Sequence, residues 1–163
     1  MISLIELILR EAKQVGPLFH FTSYSYALGI VKDNFRFDAK LSSEYTEDEG
    51  YISFTRNKTL KSSTIEQNQV RFKLDGDKLS TKYKITPYAD FYSDYGRNQD
   101  GGDESEERIN TAKHKWGIDF KNYLLSFDIV GYKGNDYSLG SYYKDLTAHL
   151  DDNNIKYNIV NKF

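Results

Sequence analysis

Leu18-Phe19-His20-Phe21-Thr22-Ser23 is the stretch whose reading decides the fold. Its ring-rich apolar start reads as a strand, and Thr22 or Ser23 then supplies the side-chain oxygen that caps a following helix. That helix carries Ala27, Leu28, Ile30, Val31 and Phe35 on its inward side. Upstream, Leu4, Ile5, Ile8, Leu9, Ala12 and Val15 recur at helical spacing and stop at Gly16-Pro17. Residues 1–16 are therefore expected as an amphipathic helix ended by a glycine and a residue that cannot continue it. Helix, strand and helix follow one another with almost no linker.

Downstream the pattern turns to strands. Residues 42–50 are polar and acidic and read as an exposed loop. Tyr51-Ile52-Ser53-Phe54-Thr55-Arg56 alternates, with Ile52 and Phe54 on one side and Ser53 and Thr55 on the other. Val70 to Leu74 alternates cleanly and ends at Asp75-Gly76-Asp77, a turn signal. The chain then runs compactly to Pro87, and residues 88–103, rich in Tyr, Asp, Asn and Gly without periodicity, read as a mobile surface loop. Leu124 to Val130 is the strongest strand, Tyr142 to Asp152 a helix with Leu146 and Leu150 inward, and Ile155 to Val160 a last strand. This order of elements predicts an α+β fold. At 163 residues, without repeat or linker, the chain is expected to form one domain.

Composition removes several chemistries. With no cysteine there is no disulfide framework, thiolate metal site or cysteine nucleophile. His20, His114 and His149 are too scattered to suggest a zinc site, Asp75-Gly76-Asp77 lacks calcium-loop spacing, and no metal is expected. No glycine-rich phosphate loop occurs. The apolar start is interrupted by Glu6, Arg10 and Glu11 and is far short of a membrane span, so a soluble, cytoplasmic protein is expected. A net charge of −2 makes no case for a duplex-binding face.

Asp103-Glu104-Ser105-Glu106-Glu107-Arg108-Ile109 carries the chemistry. In an extended segment Glu104, Glu106 and Arg108 share one side, while Ser105, Glu107 and Ile109 share the other. Like charges so close raise one carboxyl pKa and an adjacent arginine lowers another, separating a hydrogen-bond donor from an ionised partner. The same residues also fit a solvated acidic loop that begins a helical turn.

A strand with His-x-Thr (His20, Thr22) running into a helix, then Ile52-Ser53-Phe54-Thr55-Arg56, then a loop leading to Glu104-Ser105-Glu106, resembles the ADP-ribosyltransferase superfamily. The likeness is to its His-Tyr/Ser-Glu branches, which include DarT-like toxins and RNA 2′-phosphotransferases. The His-Phe-Thr, Ser-Phe-Thr-Arg, Leu-Asp-Gly-Asp-Lys-Leu-Ser and Glu-Glu-Arg series also resembles small proteins of large tailed phages. The resemblance spans Phe19 to Ile129 and implies split mixed and antiparallel sheets with flanking helices. It implies NAD as substrate, a macromolecular acceptor, protein or nucleic acid, and action in the cytoplasm, that of the host if phage-encoded.

The resemblance also implies roles. Glu106 would stabilise the ribosyl cation, as carboxylates do in glycoside hydrolysis, with Glu104 orienting the acceptor. Glu107 is the rival, because a slip of one residue exchanges the sides of a strand. His20 and Thr22 would hold the adenosine ribose, although a core histidine satisfied by a backbone carbonyl reads equally well. Ser53 and Thr55 would stand near the nicotinamide ribose or amide, and Arg56 and Arg71 would meet the pyrophosphate, although ordinary strand hydroxyls and surface charges fit the same residues. Tyr83, Tyr88 and Tyr92 are the candidates for stacking on nicotinamide, and no clear counterpart of the family's central tyrosine is present. The 88–103 loop would recognise the acceptor.

Three other readings accompany this one. An RNA 2′-phosphotransferase would use the same fold and NAD but needs an arginine cluster. A non-catalytic virion or host-factor-binding protein needs no carboxylate geometry, and Leu9-Arg10-Glu11 before Ala12 resembles a phage head-protease cleavage motif. Trp116 in Lys113-His114-Lys115-Trp116 would suit base stacking beside two lysines, although such a residue is more often a partly exposed anchor.

Overall fold

Strand β1 (Pro17–Thr22) occupies the centre of a seven-stranded sheet in the order β5-β6-β3-β1-β4-β8-β9. The structure is a computed structural model that describes residues 15–38, 50–59, 68–87, 106–111 and 117–163, with the backbone alone at 87, 106 and 107. After β1 come α1 (Tyr24–Lys32), β2 (Arg36–Phe37), β3 (Tyr51–Thr55), β4 (Val70–Asp75), α2 (Gly76–Ser80), β5 (Ile85–Pro87) and β6 (Glu106–Asn110). The chain continues through β7 (Ile118–Asp119), a 3-10 turn (Lys121–Tyr123), β8 (Leu124–Val130), α3 (Tyr137–Asp152) and β9 (Asn158–Val160). Every pairing in the large sheet is antiparallel except β8 with β9, and β2 pairs with β7 in a separate ribbon. The architecture is α+β with a mostly antiparallel mixed sheet.

Alternation divides the sheet into two faces. On β1, Leu18, His20 and Thr22 stand opposite Leu74, Phe72 and Val70 of β4, and Phe72 and Val70 in turn meet Phe127 and Ile129 of β8. These positions form the core face. Phe72 and Phe127 stack at 4.6 Å and 11° between planes, and Leu18, Leu74 and Ile129 are fully excluded from solvent. Helices α1 and α3 cover this face, contributing Ala27, Leu28 and Val31 from the first and Leu146 and Leu150 from the second. Burying such a side chain contributes about 1.5–3 kcal/mol relative to leaving it exposed, so this layer supplies the main driving force.

Helix α1 starts where the sequence places it, with Ser23 as the cap accepting from the Tyr26 amide. It ends before Phe35, which the inward spacing assigns to its buried side. Asn34 and Phe35 instead adopt left-handed backbone with φ of 53° and 63°, and the Phe35 amide donates to Ile30 O at 2.8 Å. A bulky residue rarely sits there; its ring is held because it is buried edge-on to Phe72 and Phe127. Tyr24 at the other end is buried and its hydroxyl donates to Val130 O, tying α1 to the end of β8. Burial pushes its phenol up to about 12.

Three further elements differ from the sequence reading. Asp75-Gly76-Asp77 begins a helix: Asp75 caps α2 by accepting from the Lys78 amide. Asp77 Oδ1 accepts from the amides of Val15 and Gly16, at 2.7 and 3.0 Å, and a Cβ on Gly76 would lie 2.2 Å from Gly16 O. Helix α3 begins at Tyr137 rather than Tyr142, because Asp136 Oδ1 accepts from the amides of Ser138 and Leu139. The last strand is confined to Asn158–Val160. The expected helix at 1–16, apart from its last two residues, and the 88–103 loop lie outside the described residues.

Candidate functional site

Strands β6, β3 and β1 lie side by side, so the three motif-bearing segments of the sequence are neighbours in the sheet. His20 is on the core face. Its Nδ1 lies 2.9 Å from Ser53 O; a carbonyl can only accept, so Nδ1 carries the hydrogen and Nε2 is the basic nitrogen. The imidazole packs against Phe37, Phe54 and Phe72 at centroid distances of 4.9, 6.0 and 6.3 Å. Desolvation lowers its pKa, with the Ser53 carbonyl partly opposing, so the ring is neutral at neutral pH. Thr22, also buried on this side, stands opposite Val70.

Ser53 and Thr55 belong to the other alternation class. Phe19 of β1 pairs with Thr55, and Ile52 and Phe54, not the hydroxyl residues, share the side of His20. Thr55 is buried and its Oγ1 accepts from the Asn57 amide at 3.0 Å. The strand contributes to His20 through its backbone, by the Ser53 carbonyl, rather than through the hydroxyls. On β6, position 106 pairs with Thr55 and position 107 with Phe54. Glu106 thus falls at a position of the Ser53 and Thr55 class, and Glu107 at one of the His20 class. Glu104 lies outside the described residues, as do Tyr88, Tyr92, Leu9 to Ala12, and Lys113 to Trp116.

Arg71 also lies on the face away from His20, opposite Phe21 and Asp128. Its Nε and Nη2 donate to Asp128 Oδ2 at 3.1 and 2.7 Å, and Nη1 donates to Lys58 O at 2.5 Å. Asp128 Oδ1 accepts from Asn158 Nδ2 at 2.8 Å. The guanidinium sits over Phe19 at 5.5 Å and over Phe163 at 4.8 Å. Its charge is matched by Asp128 and its N–H edge is engaged within the chain, on the face away from His20. Arg56 is exposed just past the end of β3. Arg108, paired with Ser53, is stacked at 4.0 Å over Tyr51, the diagonal residue two positions along β3. Tyr83 is buried and meets Tyr123 edge-on at 6.2 Å, which occupies it as a packing ring.

Of the residues that the motifs single out, the fold brings His20 and the Ser53 backbone together, whereas Arg71 lies on the opposite face. Asp128 is the polar residue that sequence reasoning passed over. A signal existed, since a carboxylate inside the most apolar strand is tolerated only with a partner. Among the described residues no group of metal-ligating side chains occurs, and no helix is long and apolar enough to cross a membrane. No family model matches the chain, and neither a curated protein nor a solved structure matches it.

Proposed function

We propose that the protein is an ADP-ribosyltransferase-like enzyme that moves ADP-ribose from NAD to a macromolecular acceptor, protein or nucleic acid, in the cytoplasm, that of a host if phage-encoded. One observation carries this reading. Strands β1, β3 and β6, which carry His20, Ser53 and the glutamates at 106 and 107, are separated in sequence yet consecutive in the sheet, which supports a shared site in which the Ser53 carbonyl reaches His20 and position 107 falls in the alternation class of His20. NAD supplies the reaction with a ribosyl unit whose bond to nicotinamide breaks with positive charge building on the sugar. A carboxylate at the start of β6 stabilises that charge. His20, neutral and fixed through Nδ1, offers Nε2 as a directed acceptor for a ribose hydroxyl.

The motif makes Glu106 the carboxylate, with Glu104 auxiliary, whereas the register puts position 107 in the class of His20. Both glutamates therefore enter the assay. Nicotinamide release from NAD is measured for wild type, Glu106→Gln, Glu107→Gln and His20→Ala, with cell lysate as acceptor. Release that falls at least about a hundredfold in one of the glutamine variants identifies the carboxylate. Wild type without release and without NAD binding by calorimetry sinks the proposal. A second reading has one observation in its favour: His20 bonded to a carbonyl amid three phenyl rings is also how a structural histidine is held. Under it the chain is a binding protein, and His20→Ala changes stability alone.

A further inference from the structure

Beyond β9 the chain turns back onto the sheet face opposite His20 and sets the Phe163 ring on Arg71, 4.8 Å from Cζ, and against Phe21 at 5.3 Å and 73°. The guanidinium beneath is rigidly held. Asp128 takes two of its N–H groups on one oxygen and Lys58 O a third, while Phe19, buried, backs its plane at 5.5 Å. The polar edge of the cation is thus engaged and its flat face is what Phe163 meets. Because Asp128 neutralises the guanidinium, this face suits an uncharged planar ring far better than a phosphate.

The attachments of the last segment are uneven. Asn158–Val160 is held by backbone pairing to β8, by Asn158 Nδ2 to Asp128 and by the Gly131 amide to Val160 O. Past Val160, Asn161 and Lys162 are exposed, and the contacts among described residues are Lys133 Nζ to Asn161 Oδ1 at 3.4 Å and the Phe163 ring itself. Lifting Phe163 would leave the Arg71 and Asp128 pair, Phe19, Phe21 and β9 in place. We propose that Phe21 and the Asp128-matched guanidinium of Arg71 form a shelf that binds a nucleobase-type planar ring, and that Phe163 is its own-chain occupant, displaced when such a ring binds. The shelf lies on the opposite face from His20 and does not depend on the transfer reaction.

Adenosine, which has a base and no charge, is the probe. A strap closed about nine-tenths of the time weakens apparent binding about tenfold, so Phe163→Ala is expected to bind adenosine about tenfold more tightly than wild type. Phe163→Trp, which restores a covering ring, returns to wild-type affinity. Adding Arg71→Lys to Phe163→Ala keeps the charge beside Asp128 but removes the planar face and abolishes the gain. In wild type, adenosine shifts the Phe163 ring resonances while the amides of Asn158–Val160 keep theirs. Equal affinity of wild type and Phe163→Ala overturns the proposal. So does adenosine binding, or saturation with adenosine, that leaves Phe163 unmoved, a readout that holds even where the alanine variant fails to fold. AMP binding far more tightly than adenosine overturns the assignment to an uncharged ring.

Discussion

On one face of the sheet His20 meets a backbone carbonyl and three phenyl rings; on the other Arg71 meets a carboxylate, a backbone carbonyl and two phenyl rings. Both polar groups are embedded in aromatic surroundings, yet each is satisfied in its own way. His20 stays neutral and needs a single acceptor, which the neighbouring strand offers at no cost in charge. Arg71 cannot lose its proton, so a second charged residue had to be placed in an apolar strand beside it. The histidine is therefore sensitive to acid. The arginine depends instead on one charged partner.

Four measurements break or sharpen this contrast, taken from the largest expected effect down. Phe72→Ala removes the ring that stacks on Phe127 and borders both Phe35 and His20, and should cost about 4 kcal/mol in urea unfolding. A loss under about 1 kcal/mol would mean that the core face collapses freely around the gap. Asp128→Ala leaves Arg71 without its counter-charge and Asn158 without its acceptor, for a loss of about 3 kcal/mol in the same assay. If Arg71→Met with Asp128→Leu recovers most of that loss, the pair contributes specificity rather than stability. Tyr24→Phe removes one buried hydrogen bond to Val130 O without touching either polar centre and should cost about 1 kcal/mol near neutral pH. The Tyr24 phenol, raised to about 12 from 10.0, favours folding fully below pH 10 and loses that contribution as pH rises toward 12. The variant should thus lack that part of the alkaline loss.

The smallest effect is the pH slope from His20. Its folded pKa lies below 6.5, so the unfolded chain binds the proton more tightly. The contribution is fully present above 6.5 and is lost as pH falls toward and through the lowered value. His20→Gln should flatten the fall in urea midpoint on the acid side of 6.5, whereas Asp128→Asn should leave the His20 part of the slope intact. An unchanged slope in His20→Gln would mean that acid acts elsewhere.

Much of the frame was legible in the sequence. Alternation in Val70 to Leu74 and the apolar run Leu124 to Val130 gave strands at close to their observed limits, since a half-buried or buried strand leaves a period of two or a continuous apolar stretch. The ribbon of β2 and β7 was invisible because two-residue strands carry no period. Phe35 kept helical spacing after the helix had ended, and only the packing of its ring explains its backbone. The face assignments needed the strand order: nothing local to Ser53 reveals that its hydroxyl alternates away from His20 while its carbonyl reaches it. Asp128 found its partner 57 residues away, a distance over which no local pattern speaks.

The central place of β1 has a consequence for how the molecule is made. Both of its neighbours, β3 and β4, come later in the chain, and its full register with β4 joins Pro17 to Asp75. During synthesis the strand emerges with both edges open and stays so until its partners leave the ribosome, and such long-range pairing closes slowly. The nascent chain thus carries a bare phenylalanine-bearing edge until β3 and β4 have followed it, the kind of unpaired strand on which non-native pairing starts.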